Sequence, residues 1–248
     1  MQLNKTKQII FMIFLGAVMV VNGQIKSGKV YYTSYKKMNT LLDSAKYDKE
    51  TIDQVQSFFS KQFQKEYVLV FNKEESLFSE KIKIDIHGKS SNLESKLFKS
   101  FNDKRYTHKK ELLGKLFSIR DSIKRKKWNI SKDMKTIGGY NCNKATLNYK
   151  VNDSTNIKVE AWFTTQIPIT NGPDIYDGLP GLILQLNDGS YTYLCGKIEL
   201  SSEEVQIKEP RGGKIVTQLE FDKILQEKEK EGRSRARAYL REREASKQ

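Results

Sequence analysis

The sequence predicts a mainly β protein, α+β only through one added helix: a curved antiparallel sheet, an open half-barrel being one form of it, packing one amphipathic helix. Three observations predict it. Seven or more short apolar or alternating runs are separated by turn residues. Only one segment, near residues 52–63, has an apolar stripe of helical period. The run from Ile167 to Gly189 holds three of the chain's four prolines and sets a shaped loop against a buried strand.

Lys29 to Lys36 is β-branched and aromatic, and reads as the first strand. Ile52, Val55, Phe59 and Phe63 recur at spacings of three, four and four, so they share one helix face, assigned to packing on the sheet. Thr51 and Gln54 resemble a capping box at its start. Tyr67–Phe71 and Ser76–Glu80 form a hairpin around a turn at 72–75, and Lys81–His87 alternates as a strand with one wet face. From Gly88 to Lys110 the pattern dissolves into Ser, Lys and Asn, so a long loop or insertion is expected, with a short helix at Leu93–Phe101. Strands resume at Leu116–Ile119, Trp128–Ile130, Tyr140–Val151, Ile157–Thr165, Leu182–Leu186 and Tyr191–Leu200.

The domain plan is a leader over 1–23, one β domain over 24–210 with its insertion at about 88–110, and a charged tail over 211–248. Lys5 and Lys7, the apolar core Ile9–Val21 and the small residues before Gln24 have the layout of a signal peptide. Its thirteen apolar residues are short for a bilayer, although an uncleaved anchor is the alternative. Cleavage takes the net charge from +14 to +12 and leaves no stable membrane span. The expected location is periplasmic or secreted. Cys142 and Cys195 are then the minimum pair for a disulfide, and both the bridged and the free state are open.

The basic balance comes without a recognition-helix pattern or an RNA-binding aromatic motif, so no nucleic acid is expected. The tail after Leu225 mixes acids among its basic residues and offers no apolar face, which predicts a solvated segment dispensable for folding. His87 and His108 each lack a second ligand at metal spacing, and no P-loop, dinucleotide fingerprint, nucleophile elbow or HExxH occurs. No metal or cofactor is expected.

Chemistry, if any, gathers at the loop. Leu179-Pro180-Gly181-Leu182 reads as a type II turn, with Gly181 supplying the positive φ. Asp174 and Asp177 are read first as turn caps, and in the alternative reading as general bases of a hydrolase-like enzyme. Trp162 and Tyr176 join them as ligand-binding candidates, because an aromatic ring carries large apolar area with one polar handle.

Gly178, Leu179, Pro180, Gly181, Leu182 and Ile183 spell a motif, and upstream of it stand Trp128-Asn129-Ile130, Thr136–Ala145, Ala161-Trp162-Phe163, Ile167-Pro168-Ile169 and Gly172-Pro173. Through these residues the chain resembles the GLPGLI family of exported Bacteroidetes proteins. The resemblance is specific over 128–186, loose over Tyr67–Phe78 and lost after about Glu209. It implies export and no assigned chemistry. Because the strands carry aromatic residues on both faces, Tyr31, Tyr67, Phe71 and Tyr193 among them, and no convergent acid, base and nucleophile is displayed, the expected function is non-enzymatic: an envelope protein that binds an apolar or peptidic ligand, or an outer-membrane or other envelope protein partner, on the concave face of the sheet near the Asn171–Gly181 loop.

Overall fold

A computed structural model describes residues 25–36, 48–81, 95–152 and 155–245. Twelve strands form one open sheet: β1 (Ser27–Lys36), β2 (Lys65–Asn72), β3 (Glu75–Glu80), β4 (Lys96–Ser100), β5 (Arg105–Leu112), β6 (Lys115–Ser122), β7 (Asn129–Ile137), β8 (Tyr140–Asn152), β9 (Thr155–Thr164), β10 (Leu182–Asn187), β11 (Tyr191–Ser201) and β12 (Lys214–Val216). Among the described residues two helices accompany these strands, α1 (Lys49–Gln62) and α2 (Gln218–Ala245). The strand order is β12-β6-β5-β4-β3-β2-β1-β11-β10-β9-β8-β7, so the sheet has two free edges and is not closed. Every pairing is antiparallel except β12 with β6, which makes the sheet mixed. The leader at 1–23, Asp85, His87 and the rest of the run at 82–94 lie outside the described residues.

Alternation divides the sheet into an inner and an outer face. Val30, Leu69, Phe78 and Leu97 are neighbours in register and lie in the main core, as do Ala161, Leu186 and Tyr193 across β9 to β11. Two irregular segments cover the faces. The loop between β9 and β10 seals the inner face with Ile167, Tyr176 and Leu179, all buried. A strap at 202–213 crosses the outer face: Glu203 O and Val205 O accept from Ser27 Oγ and Asn72 Nδ2, Glu209 accepts from Arg105, and Gly212 O accepts from Ser118 Oγ. The strap then runs into β12.

Several expectations are corrected. The described part of the stretch expected as a loop and short helix, 95–110, belongs to β4 and β5, because Leu97 packs on the inner face and Phe98 on the outer, while its polar residues find partners far along the chain. Helix α1 begins at Lys49, and its cap is Asp48, whose carboxylate accepts from the Thr51 amide at 2.8 Å and from the Thr51 hydroxyl, rather than a box of Thr51 and Gln54. It lies against β1, but its stripe is not core: Ile52 and Val55 are half-buried, Phe63 is 46% exposed, and the side chain of Phe59 lies outside the described residues.

Cys142 and Cys195 are free thiols. They sit on β8 and β11 with β9 and β10 between, and three strand spacings of about 4.8 Å far exceed the roughly 7 Å between Cα atoms that a disulfide tolerates. Burial pushes the Cys195 thiol up to about 11.

The tail is corrected in its first half. β12 extends the sheet, and Thr217 with Glu220 forms a reciprocal capping box at the start of α2. Phe221 then packs edge-on against Phe117, with Ile119 and Val216 beside it, as a second small core. From Gln226 to Tyr239 the helix is exposed, as its charge pattern predicts. Phe221→Ala should cost roughly 3 kcal/mol through the cavity it leaves, whereas truncation after Leu225 should change stability by less than about 0.5 kcal/mol. Urea unfolding of both variants checks the pair, and equal losses would show that the exposed half of α2 packs.

Candidate functional site

The loop between β9 and β10 is held by tight backbone hydrogen bonds. Ile169 N donates to Ile167 O, Asn171 N to Ile169 O and Gly181 N to Leu179 O, each at 2.8 Å and each across a single intervening residue. Pro168 and Pro180 occupy two of those centres, where their fixed φ suits the inverse γ-turn. The expected type II turn is therefore replaced by a γ-turn. The positive φ belongs to Gly178, at 89°, and Gly181 is needed for another reason: a Cβ there would stand 2.0 Å from Thr164 O.

Asp177 is the anchor of the loop. Its Oδ2 lies 3.1 Å from Lys99 Nζ on β4, and its Oδ1 lies 2.7 Å from Lys126 Nζ on the connection between β6 and β7. Its main-chain carbonyl accepts from Trp128 Nε1 at 2.9 Å. Lys99 is 3% exposed and Asp177 5%, so this is a buried ion triad, with Asn171 Oδ1 also 3.5 Å from Lys99 Nζ. Burial pushes the Lys99 ammonium below its usual range, against the pull of Asp177. The Asp177 carboxylate is thus engaged by two lysines from elsewhere in the fold rather than capping its own turn.

The other predicted residues separate. Tyr176 is buried in the core, its hydroxyl 3.4 Å from Asp188 Oδ2. Asp174 is half-buried and left-handed at φ 51°; burial raises its carboxyl, while Lys110 and Lys99 oppose the shift. Tyr67 and Tyr193 stand near it, their hydroxyls pushed well up chiefly by burial. Trp162 points to the outer face, opposite to Ala161 and Phe163. There Lys135 Nζ sits 4.2 Å from its ring centroid, Lys144 flanks it, and its Nε1 donates to Glu160. The structure thus brings Asp174, Tyr176 and Asp177 to one loop and leaves Trp162 elsewhere. Lys99, Lys126 and Asn171 carried no sequence signal for this role, since a lysine reads as solvated until its partner is known.

Among the described residues, surface grooves lie away from the loop under the strap, along α1, and around Tyr31 between Lys81 and Lys197. Among the described residues no helix is long and apolar enough to cross a membrane.

Fold and loop together define a class: an open, mainly antiparallel sheet whose inner face is sealed by a proline- and glycine-rich loop pinned on buried charge. Residues 149–185, which include Gly178–Ile183, match the model of a family described as a protein of unknown function (Porph_ging). No curated protein matches the chain. Among solved structures it is similar to PNGF-II in two crystal forms, C2 and P21, with TM-scores of 0.52 and 0.53 and identities of 12% and 13%. Each match covers 80% of this chain, which spans about a third of PNGF-II, 32%. At that identity the likeness is one of fold.

Two outcomes follow. Asp177→Ala leaves Lys99 buried without its counter-ion and should cost about 3–5 kcal/mol, while Asp177→Leu combined with Lys99→Met should recover most of the loss; urea unfolding of the set reads this. His108 is buried on β5, its Nε2 3.1 Å from Ser95 Oγ, and burial, then Lys110 and Lys99, hold it well below the ordinary 6.5. The folded chain keeps it neutral while the unfolded chain takes up a proton below about 6.5, so this share of stability is lost as pH falls. The loss should run at roughly 1.4 kcal/mol per pH unit down to the folded pKa, and His108→Gln should remove that slope. Unfolding curves measured from about pH 7 down to about pH 5 that are parallel for both chains would exclude a buried neutral His108.

Proposed function

We propose that this protein is an exported, non-enzymatic envelope protein, periplasmic or secreted, that binds an apolar or peptidic ligand or an envelope protein partner. The observation that carries this reading is the state of the loop's chemistry. Asp177 holds two lysines, Tyr176 fills the core, and the loop occupies the sheet face where a ligand would otherwise lie. A general base needs a free lone pair directed at substrate. The loop therefore acts as a structural plug, and binding belongs to the outer face, where grooves remain open.

A second reading has one observation in its favour. Asp174 combines a left-handed backbone, a raised carboxyl and nearby tyrosines, features that gather at working sites and support a hydrolase-like role. Complementation of a deletion strain separates the two. On the binding reading, the mature chain starts at Gln24 in the envelope fraction and Asp174→Asn restores the wild-type phenotype. If Asp174→Asn keeps its melting temperature and abolishes the phenotype, the catalytic reading replaces it.

A further inference from the structure

The exposed half of α2 carries a charge pattern of its own. The helix is packed through its first turns, where Phe221 is buried and Ile224 half-buried, and from Gln226 to Tyr239 it is exposed throughout. Up to Gly232 its charges alternate in sign and pair along the helix: Lys228 with Glu231 at 2.8 Å, Glu229 with Arg233 at 3.5 Å and Glu231 with Arg235 at 4.0 Å. From Gly232 to Arg241 there are four arginines and no acid. Acids return only at Glu242 and Glu244.

Lys230, Arg233, Arg237 and Arg241 recur at spacings of three, four and four, which places them on one helix face. At about 3.6 residues per turn they cover roughly 80° of the circumference and about 17 Å of its length. Like charges four residues apart destabilise a helix. Arg233, Arg237 and Arg241 make two such pairs in succession, and the residues three and four away from Arg237 are Arg233, Ser234, Leu240 and Arg241, none of them acidic. This repulsion falls on a segment that packs on nothing, and an anionic surface laid along the stripe would offset it.

The flanks of the stripe select the kind of anion. Glu229 lies to one side of it and Glu231 to the other. A helix held in a nucleic-acid groove has phosphates on both walls, which these carboxylates would face, whereas a flat surface meets one face alone. The stripe holds no apolar side chain to anchor a protein partner, and Tyr239, 64% exposed, stands on the opposite side of the helix. We propose that α2 lays this stripe on a membrane surface of anionic phospholipid, an electrostatic attachment at headgroup level without insertion. Because Phe221 ties the same helix to β6 and β12, the attachment would hold the whole domain at the surface, whatever its outer-face grooves bind.

The test is cosedimentation of residues 24–248, which include every described residue, with vesicles of phosphatidylcholine alone or with about one quarter phosphatidylglycerol. The chain should bind the anionic vesicles and not the neutral ones, and salt raised from about 0.1 M to about 0.5 M should release it. Arg237→Gln with Arg241→Gln should weaken binding by about tenfold or more, whereas Lys228→Gln with Arg235→Gln, which removes the same charge from the other side of the helix, should weaken it by less than about threefold. Glutamine is a good helix former, and circular dichroism checks that both variants keep α2. Truncation after Leu225, which spares the packed turns, should abolish binding. Equal losses in the two pairs would mean that net charge alone acts, and equal binding to neutral vesicles would mean apolar adsorption; either overturns the proposal. So does no binding at low salt, or a DNA duplex whose binding depends on Arg237 and Arg241 more than that of the vesicles. Each of those outcomes leaves the Asp174→Asn complementation result standing, so the surface attachment and the wider binding reading fail separately.

Discussion

The carboxylate of Asp177, buried between Lys99 and Lys126, is the constraint on which the arrangement of this protein turns. It joins three parts of the chain that are distant in sequence: β4, the connection before β7, and the loop before β10. Such a triad is a poor source of net stability, because removing three charges from water costs about what their attraction returns. The drive to bury the loop comes from Ile167, Tyr176 and Leu179, each worth on the order of 1.5–3 kcal/mol when taken out of water. Apolar contacts tolerate sliding, whereas two ammonium groups on two carboxylate oxygens do not. The triad therefore sets where the loop sits, and the apolar residues hold it there.

A sheet covered in this way has no need to close. The loop seals one face, the strap crosses the other, and the free edges are blunted by local means. β7 bears Lys132, Asp133 and Lys135 along with a register shift between Ile130 and Met134, which interrupts a straight edge. β12 offers only three residues, Lys214–Val216. Close approach completes the seal at the root of the loop, where Gly181 passes so near Thr164 that no side chain fits. The same contact explains why a glycine follows Pro180 although its φ is not left-handed.

Most of the sheet was legible because its strands obey simple alternation. β1 to β3 and β6 to β11 were readable from β-branched and aromatic runs bounded by turn residues. β4 and β5 were not, and the reason is physical: their buried polar residues are satisfied by long-range partners, Lys99 by Asp177 and Thr107 by Glu209. Without those partners in view, Lys99 and Thr107 look like solvent-facing loop residues. The helix stripe Ile52, Val55, Phe63 was a correct sign of a helix and a poor guide to its burial, since periodicity reports a face and not what covers it. At the loop, Asp177 and Tyr176 were identified as special residues, but their task was not, because the sequence shows a carboxylate without its counter-charges.

The same blindness applies to the net charge of +14, which by itself points to nothing more than a soluble surface. The fold sorts that charge into different physical states. Lys99 and Lys126 share the single negative charge of Asp177, Lys135 and Lys144 lie over the Trp162 ring, and Lys96 stands across from Lys109 in the β4–β5 register. The first two arrangements set cations against a group that attracts them. A lysine's charge therefore carries information only once the fold has set its surroundings, and for Lys99 and Lys126 those surroundings are the one carboxylate that fixes the loop.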